Sequence, residues 1–259
     1  MRIAEKFQEL KANKEKALIA YLCAGDPSAN ETRKYVHALV KGGADIVELG
    51  LPFSDPVADG PTIQAASDRA LEAGMNPDMY FELAASIKEQ VPLVCMTYYN
   101  LIFRRGVEKF VKDCAAAGIT GIIVPDLPIE EADDILKACK THGVDMISMV
   151  TPVTDKDRMQ KIFSKGSGFI YIVSRLGVTG ARADVSKSTK DILDKVNTTL
   201  PRAVGFGISN GKQATEVIAA GADAVIVGSA FVNIIASQNS VEERLEQLAR
   251  ELKAGCSGQ

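Results

Sequence analysis

The 259-residue chain is 46% hydrophobic and 24% charged with a net charge of −3, proportions that suit one globular domain over residues 1–259. The evenly spread charges form neither the basic stripe of a nucleic-acid binder nor a polybasic patch for a membrane surface, and no apolar run approaches the roughly 20 residues of a membrane span. The five cysteines, Cys23, Cys95, Cys114, Cys139 and Cys256, lack CxxC spacing, so reduced thiols in a cytoplasmic protein are expected, with no disulfide framework and no zinc site.

The first segment, MRIAEKFQELKANKEK, reads as a charged amphipathic helix without the apolar core of a targeting peptide. After it, short runs rich in Val and Ile recur along the chain: 17–22, 45–50, 92–99, 121–126, 145–152, 169–174, 202–207 and 222–229. Near-continuous apolar runs of this length mark parallel strands covered on both faces. Between them lie helical patterns such as ETRKYVHALVKGG and EEADDILKACKTHG. Several close on glycine just before the next strand, at Gly42–Gly43, Gly118, Gly143 and Gly221, where a helix C-cap is expected.

Eight strands alternating with helices predict the α/β class: a (β/α)₈ TIM barrel with an extra N-terminal helix and a short extra helix after strand 8. An open doubly wound sheet would want a Gly-rich turn after its first strand, but CAGDPS lacks the GxGxxG fingerprint. In a barrel, the loops at the C-terminal strand ends carry the chemistry. Three such connections stand out: LPFSDPVADGP (51–61), RLGVTGARADVSKS (175–188) and the turn GSAFVN after the eighth strand.

Glu48 lies in an otherwise apolar strand. Strand side chains alternate, so Glu48 points into the barrel if Val47 and Leu49 meet the helices. A carboxylate there is costly unless it is paired or used. It is therefore either half of a buried ion pair or a general acid/base whose proton affinity is raised by desolvation. Asp55 and Asp59 follow in a turn-rich loop. Asp55 suits an Asx turn, and Asp59 either caps a helix beginning near Thr62 or joins the chemistry.

Glycines after the last three strands form a second constellation: Gly177 and Gly180, Gly205 and Gly207, and Gly228 followed by Ser229. Glycine lets backbone N–H groups approach an anion, and a helix start supplies unsatisfied donors, with Ser229 as cap and ligand. A phosphate site is expected there. The two histidines, His37 and His142, fall in helical stretches away from the mouth. This leaves no expected His-ligated metal and no Ser–His or Cys–His nucleophile. No strand carries a lysine for a Schiff base, and no GxxxxGK[ST] motif is present. Carboxylate acid/base chemistry on a phosphorylated ligand, with no cofactor, is what survives. Tyr21, Tyr98, Tyr99, Tyr171 and Phe206 fall near strand ends, as core residues or as walls for a flat apolar ring.

The run from Glu48 to Pro61, ELGLPFSDPVADGP, resembles the signature of the tryptophan synthase alpha chain family. The resemblance continues through Ala24–Pro27, Pro125–Pro128, Ser174–Arg175 with Gly177–Gly180, Gly205–Ser209 and Gly228–Ala230, essentially the whole chain. It implies a lyase that cleaves indole-3-glycerol phosphate to indole and glyceraldehyde 3-phosphate in tryptophan biosynthesis. By motif, Glu48 and Asp59 match the catalytic carboxylates, and Gly180, Gly207, Gly228 and Ser229 the phosphate site. Tyr171, Thr179 and Phe206 match residues near the ligand, and Tyr21 an aromatic near the indole. The resemblance also implies a pyridoxal-phosphate-dependent beta chain as partner in an α₂β₂ heterotetramer. Asp55, Asp126 and the loop from Arg175 to Ser188 are the candidate contacts, and that loop is expected to close over ligand. The competing readings are another phosphate-binding barrel enzyme, a stand-alone indole-releasing lyase, and a non-catalytic activator of the beta chain.

Overall fold

The computed structural model describes residues 1–173, 185–205 and 207–257. Eight parallel strands close into a barrel in sequence order, the eighth pairing with the first. They are β1 (Ala17–Cys23), β2 (Ile46–Gly50), β3 (Leu93–Met96), β4 (Ile119–Ile123), β5 (Asp145–Val150), β6 (Ile170–Val173), β7 (Arg202–Gly205) and β8 (Ala224–Val227). Around them run α2 (Ala29–Lys41), α3 (Pro61–Glu72), α4 (Pro77–Ser86), α5 (Tyr99–Arg105), α6 (Val107–Ala116), α7 (Asp133–His142), α8 (Lys156–Lys165), α9 (Val185–Leu193) and α10 (Gly211–Ala219). α1 (Ile3–Ala12) precedes the barrel, and α11 (Ser229–Ala236) and α12 (Val241–Ser257) follow it. The expected TIM barrel, with its N-terminal helix and its helix after strand 8, is what the chain forms. Among the described residues no helix is long and apolar enough to cross a membrane.

Every residue of β1, β2, β3 and β8 is buried, because helices cover one face and the barrel interior the other. The register identifies the inward set. Tyr21 pairs with Glu48, Glu48 with Val94, Val94 with Gly121 and Gly121 with Asp145. Met149 pairs with Tyr171, Tyr171 with Ala203 and Ala203 with Ala224. In-register residues of parallel strands share a face.

α1 closes the N-terminal end of the barrel. Its Ile3 is fully buried, and a Cβ on Gly121 would lie only 2.8 Å from the Cδ1 atoms of both Ile3 and Ile147. Glycine at 121 thus leaves the room that Ile3 fills, a burial worth roughly 2–3 kcal/mol. Phe7 packs on Phe169 with ring centroids 6.1 Å apart. With that end plugged, the barrel interior is closed off from the N-terminal face.

At the C-terminus, Lys253 of α12 reaches Asp45 (2.8 Å) and Glu15 (3.0 Å), and Asp45 also accepts the Leu18 N–H (2.8 Å). The last helix is thereby tied to the first two strands. The turn glycines behave as the pattern predicts: Gly43, Gly118, Gly143 and Gly221 all have positive φ, conformations that a Cβ would strain. Several strands are shorter or shifted relative to their apolar runs, and one run passes into a helix. The apolar run 92–99 stops being strand at Met96, and Tyr99 opens α5, because the Asp126 carboxylate accepts the Tyr99 N–H (2.9 Å). An apolar run does not by itself distinguish a strand end from a buried helix start.

Candidate active site

Glu48 projects from β2 into the upper barrel and is 3% exposed. Among the described residues no cation pairs with it, and its Oε2 has no hydrogen-bond partner. No described residue forms the buried ion pair with it. Burial first, and then the nearby charge of Asp59, push its carboxyl up to about 8. It holds its proton at neutral pH.

Asp59 does not cap α3. The N-cap is Gly60, with no side-chain cap bond and Pro61 in the first turn, and the Asp59 carbonyl instead accepts from Gln64 Nε2 (2.7 Å). The Asp59 carboxylate accepts a hydrogen bond from the Tyr98 hydroxyl. Burial pushes its carboxyl up to about 6, against the lowering effect of that bond. Tyr98, just past β3, also accepts the Ala58 N–H (3.1 Å) and stacks on Phe53, centroids 5.4 Å apart. Sequence reasoning did not single out Tyr98 as an Asp59 partner. The available signal was a tyrosine at a strand end facing an acidic loop.

Tyr21 and Tyr171 stand in matching positions. Each leans across the following strand over a glycine. A Cβ on Gly50 would meet the Tyr21 hydroxyl at 2.4 Å, and one on Gly205 the Tyr171 hydroxyl at 2.6 Å. Burial raises both phenols well above their ordinary value, with Glu48 and Asp59 adding to the effect. The structure thus brings Tyr21, Glu48, Asp59 and Tyr171 to one mouth. The inward positions of Met96, Ile123 and Met149 continue the same face with apolar side chains, a wall suited to a flat ring.

Gly207, at φ +77°, follows β7, and Gly228 and Ser229 follow β8, where a Cβ on Gly228 would lie 3.4 Å from the Tyr21 ring. Ser229 is the first residue of α11 rather than its cap. The N-cap is Gly228, without a side-chain bond, since the turn from β8 into the helix needs no hydroxyl there. The Phe231 and Val232 N–H groups bond back to Gly228 O (2.9 and 3.1 Å), so the first amides of the helix are the donors offered to an anion. Thr179, Gly180 and Phe206 lie outside the described residues, as do Arg175 and most of the 175–188 loop.

Asp55 is exposed and bonds locally to the Ser54 hydroxyl (2.5 Å). Asp126 supports the start of α5. His37 and His142 sit on helices, against Glu89 (3.1 Å) and Glu108 (2.7 Å). All five cysteines are free and buried.

A closed parallel barrel with one proton-holding and one more readily ionised carboxyl at its C-terminal mouth defines the class of (β/α)₈ enzymes suited to general acid/base catalysis. Residues 7–257 match the tryptophan synthase alpha chain family. A tryptophan synthase alpha chain of Methanosarcina acetivorans is 64% identical over 257 residues, covering 99% of this chain and 94% of that one. The structure of Mycobacterium tuberculosis tryptophan synthase superposes with a TM-score of 0.92 at 37% identity, covering 99% of this chain and 98% of that one. The alpha subunit of Legionella pneumophila str. Paris gives 0.90 at 33%, covering 100% and 99%. The chain belongs to the tryptophan synthase alpha chain family and is a lyase.

Proposed function

We propose that the chain cleaves indole-3-glycerol phosphate to indole and glyceraldehyde 3-phosphate in tryptophan biosynthesis, with Glu48 and Asp59 as its catalytic carboxylates. The observation that carries this reading is the buried Glu48 carboxyl, without a cation among the described residues and protonated at neutral pH beside an Asp59 that is mostly ionised. The protonated Glu48 gives its proton to indole C3. The bond from C3 to the glycerol carbon then breaks, and its electron pair restores the aromatic ring. The hydroxyl on that carbon becomes the aldehyde as its proton passes to the Glu48 carboxylate, which returns the acid to its starting state. Asp59 accepts the indole N–H and stabilises the positive charge that develops on the protonated ring.

Tyr21 stands beside the indole, and Tyr171, Thr179 and Phe206 lie near the ligand. Gly180, Gly207, Gly228 and Ser229 hold the phosphate end, and this anchoring aligns the reacting carbon with both carboxylates. The reaction proceeds in the cytoplasm, and indole passes to a beta chain docked on the barrel mouth in an α₂β₂ heterotetramer. Asp55, Asp126 and the Arg175–Ser188 loop form the contact, and the loop closes over ligand. Family membership and the pairing of an acid with a base support this reading over a non-catalytic activator.

The test is indole release from indole-3-glycerol phosphate by the purified chain and by Glu48→Gln, each with and without a beta subunit. Slow release that rises on adding the beta chain, and that vanishes in Glu48→Gln while glycerol phosphate affinity is kept, is expected. Full activity of Glu48→Gln would overturn the assignment, and fast release indifferent to the beta chain would point to a stand-alone lyase.

A further inference from the structure

The end of the barrel opposite the carboxylates carries a hollow of about 800 Å³ between α1 and the segment leading into β7. Its walls include the residues just before four strands: Lys16 before β1, Gly168 before β6, Pro201 before β7 and Asp223 before β8. It therefore lies on the N-terminal face, away from the mouth.

Its charge is unlike that of the molecule. The whole chain is net negative, yet Lys11, Lys14, Lys16 and Arg202 outnumber Glu15 and Asp223 along the lining. Both carboxylates are already engaged. Asp223 meets Lys16 at 2.9 Å and Arg202 Nε at 3.5 Å, and Glu15 meets Lys253 at 3.0 Å. Lys11 and Lys14, both exposed, have no side-chain partner among the described residues. Lys14 is also held at φ +58°, a left-handed conformation that L residues rarely adopt. Beside these cations the lining mixes apolar Phe7, Leu10, Leu200 and Pro201 with polar Gln8, Asn197, Thr198 and Thr199. A concave lining that sets apolar side chains beside a few polar and charged groups is what small-molecule sites share.

The geometry points to a second ligand site on the N-terminal face, taking a small anion with a flat apolar body, its acid group on Lys11 and Lys14 and its body against Phe7 and Leu200. The site is separate from the catalytic mouth and independent of the reaction assigned to it. Adding 2-naphthoate to the ¹⁵N-labelled full chain tests it. Saturable amide shifts are expected at Phe7, Gln8, Thr198 and Leu200, with little response to the neutral 2-naphthamide. The double variant Lys11→Gln/Lys14→Gln should weaken naphthoate binding at least fivefold and leave indole release unchanged. Shifts confined to residues of the mouth, shifts that fail to saturate, equal binding of the amide, or undiminished binding by the double variant would each overturn the proposal.

Discussion

The Tyr98 hydroxyl donates to the Asp59 carboxylate while it accepts the Ala58 N–H at 3.1 Å. One side chain from the end of β3 thus holds both the backbone and the carboxylate of the loop that follows β2. Removing it in Tyr98→Phe takes away the interaction that lowers the Asp59 proton affinity, so the acidic limb of the pH–rate profile moves to higher pH. Turnover falls about tenfold, within the range expected for a displaced catalytic group, and stability drops by about 1 kcal/mol for the lost hydrogen bond. Steady-state kinetics from pH 5 to pH 9 check this. An unmoved acidic limb would mean that Tyr98 does not set the Asp59 charge.

The parent enzyme should show a bell-shaped pH dependence. The reaction as proposed needs Glu48 protonated and Asp59 ionised. Turnover then declines below about pH 6, where Asp59 gains its proton, and above about pH 8, where Glu48 loses its own. In Glu48→Gln the alkaline limb disappears together with roughly a thousandfold of the rate. Residual activity with the alkaline limb intact would assign that limb to another group.

Glu48 also makes stability depend on pH. Its folded carboxyl titrates near 8 against an ordinary 4.5, so between those values the folded state binds the extra proton and stability falls as pH rises. Glu48→Gln lacks this loss. Its melting temperature should lie nearest the parent's around pH 5 and exceed it increasingly toward pH 8.5, for a stability difference of about 5 kcal/mol at most. Thermal denaturation at both pH values decides the point, and a constant difference would show that the buried carboxyl is not the source.

Asp26, 1% exposed, is held by Arg69 of α3 through two bonds of 2.8 and 2.7 Å. Arg69→Met leaves a buried carboxylate uncompensated and should cost about 3 kcal/mol. Adding Asp26→Asn to that variant should recover part of the loss, as measured by urea denaturation. No recovery would place the cost in the packing of the arginine stem.

Gly50→Ala brings a Cβ within 2.4 Å of the Tyr21 hydroxyl and 2.8 Å of its ring. The ring has to shift into the mouth, so KM for the indole substrate should rise while the fold loses roughly 1–3 kcal/mol. An unchanged KM would show that Tyr21 does not contact the substrate.

Much of this molecule is legible along the chain. The eight strands follow from apolar runs bounded by glycine turns, because a parallel strand buried on both faces needs continuous Val and Ile. Glu48 stood out because a lone carboxylate in such a run carries a desolvation cost that needs a reason. Other features are visible only in the folded chain: that neither Asp59 nor Ser229 is the N-cap of the helix it precedes or opens, and that β3 ends at Met96. Gly60 takes the cap that Asp59 could have supplied, Gly228 the one that Ser229 could have supplied, and Asp126, 27 residues on, receives the amide of Tyr99. Sequence by itself determined the element order, the barrel class and the inward-facing acid, since these rest on local propensity and period. Only the tertiary structure decided that Glu48 has no cation beside it among the described residues, that Tyr98 holds Asp59, and that Ile3 plugs the far end, because proton affinity and packing depend on what surrounds a group in space.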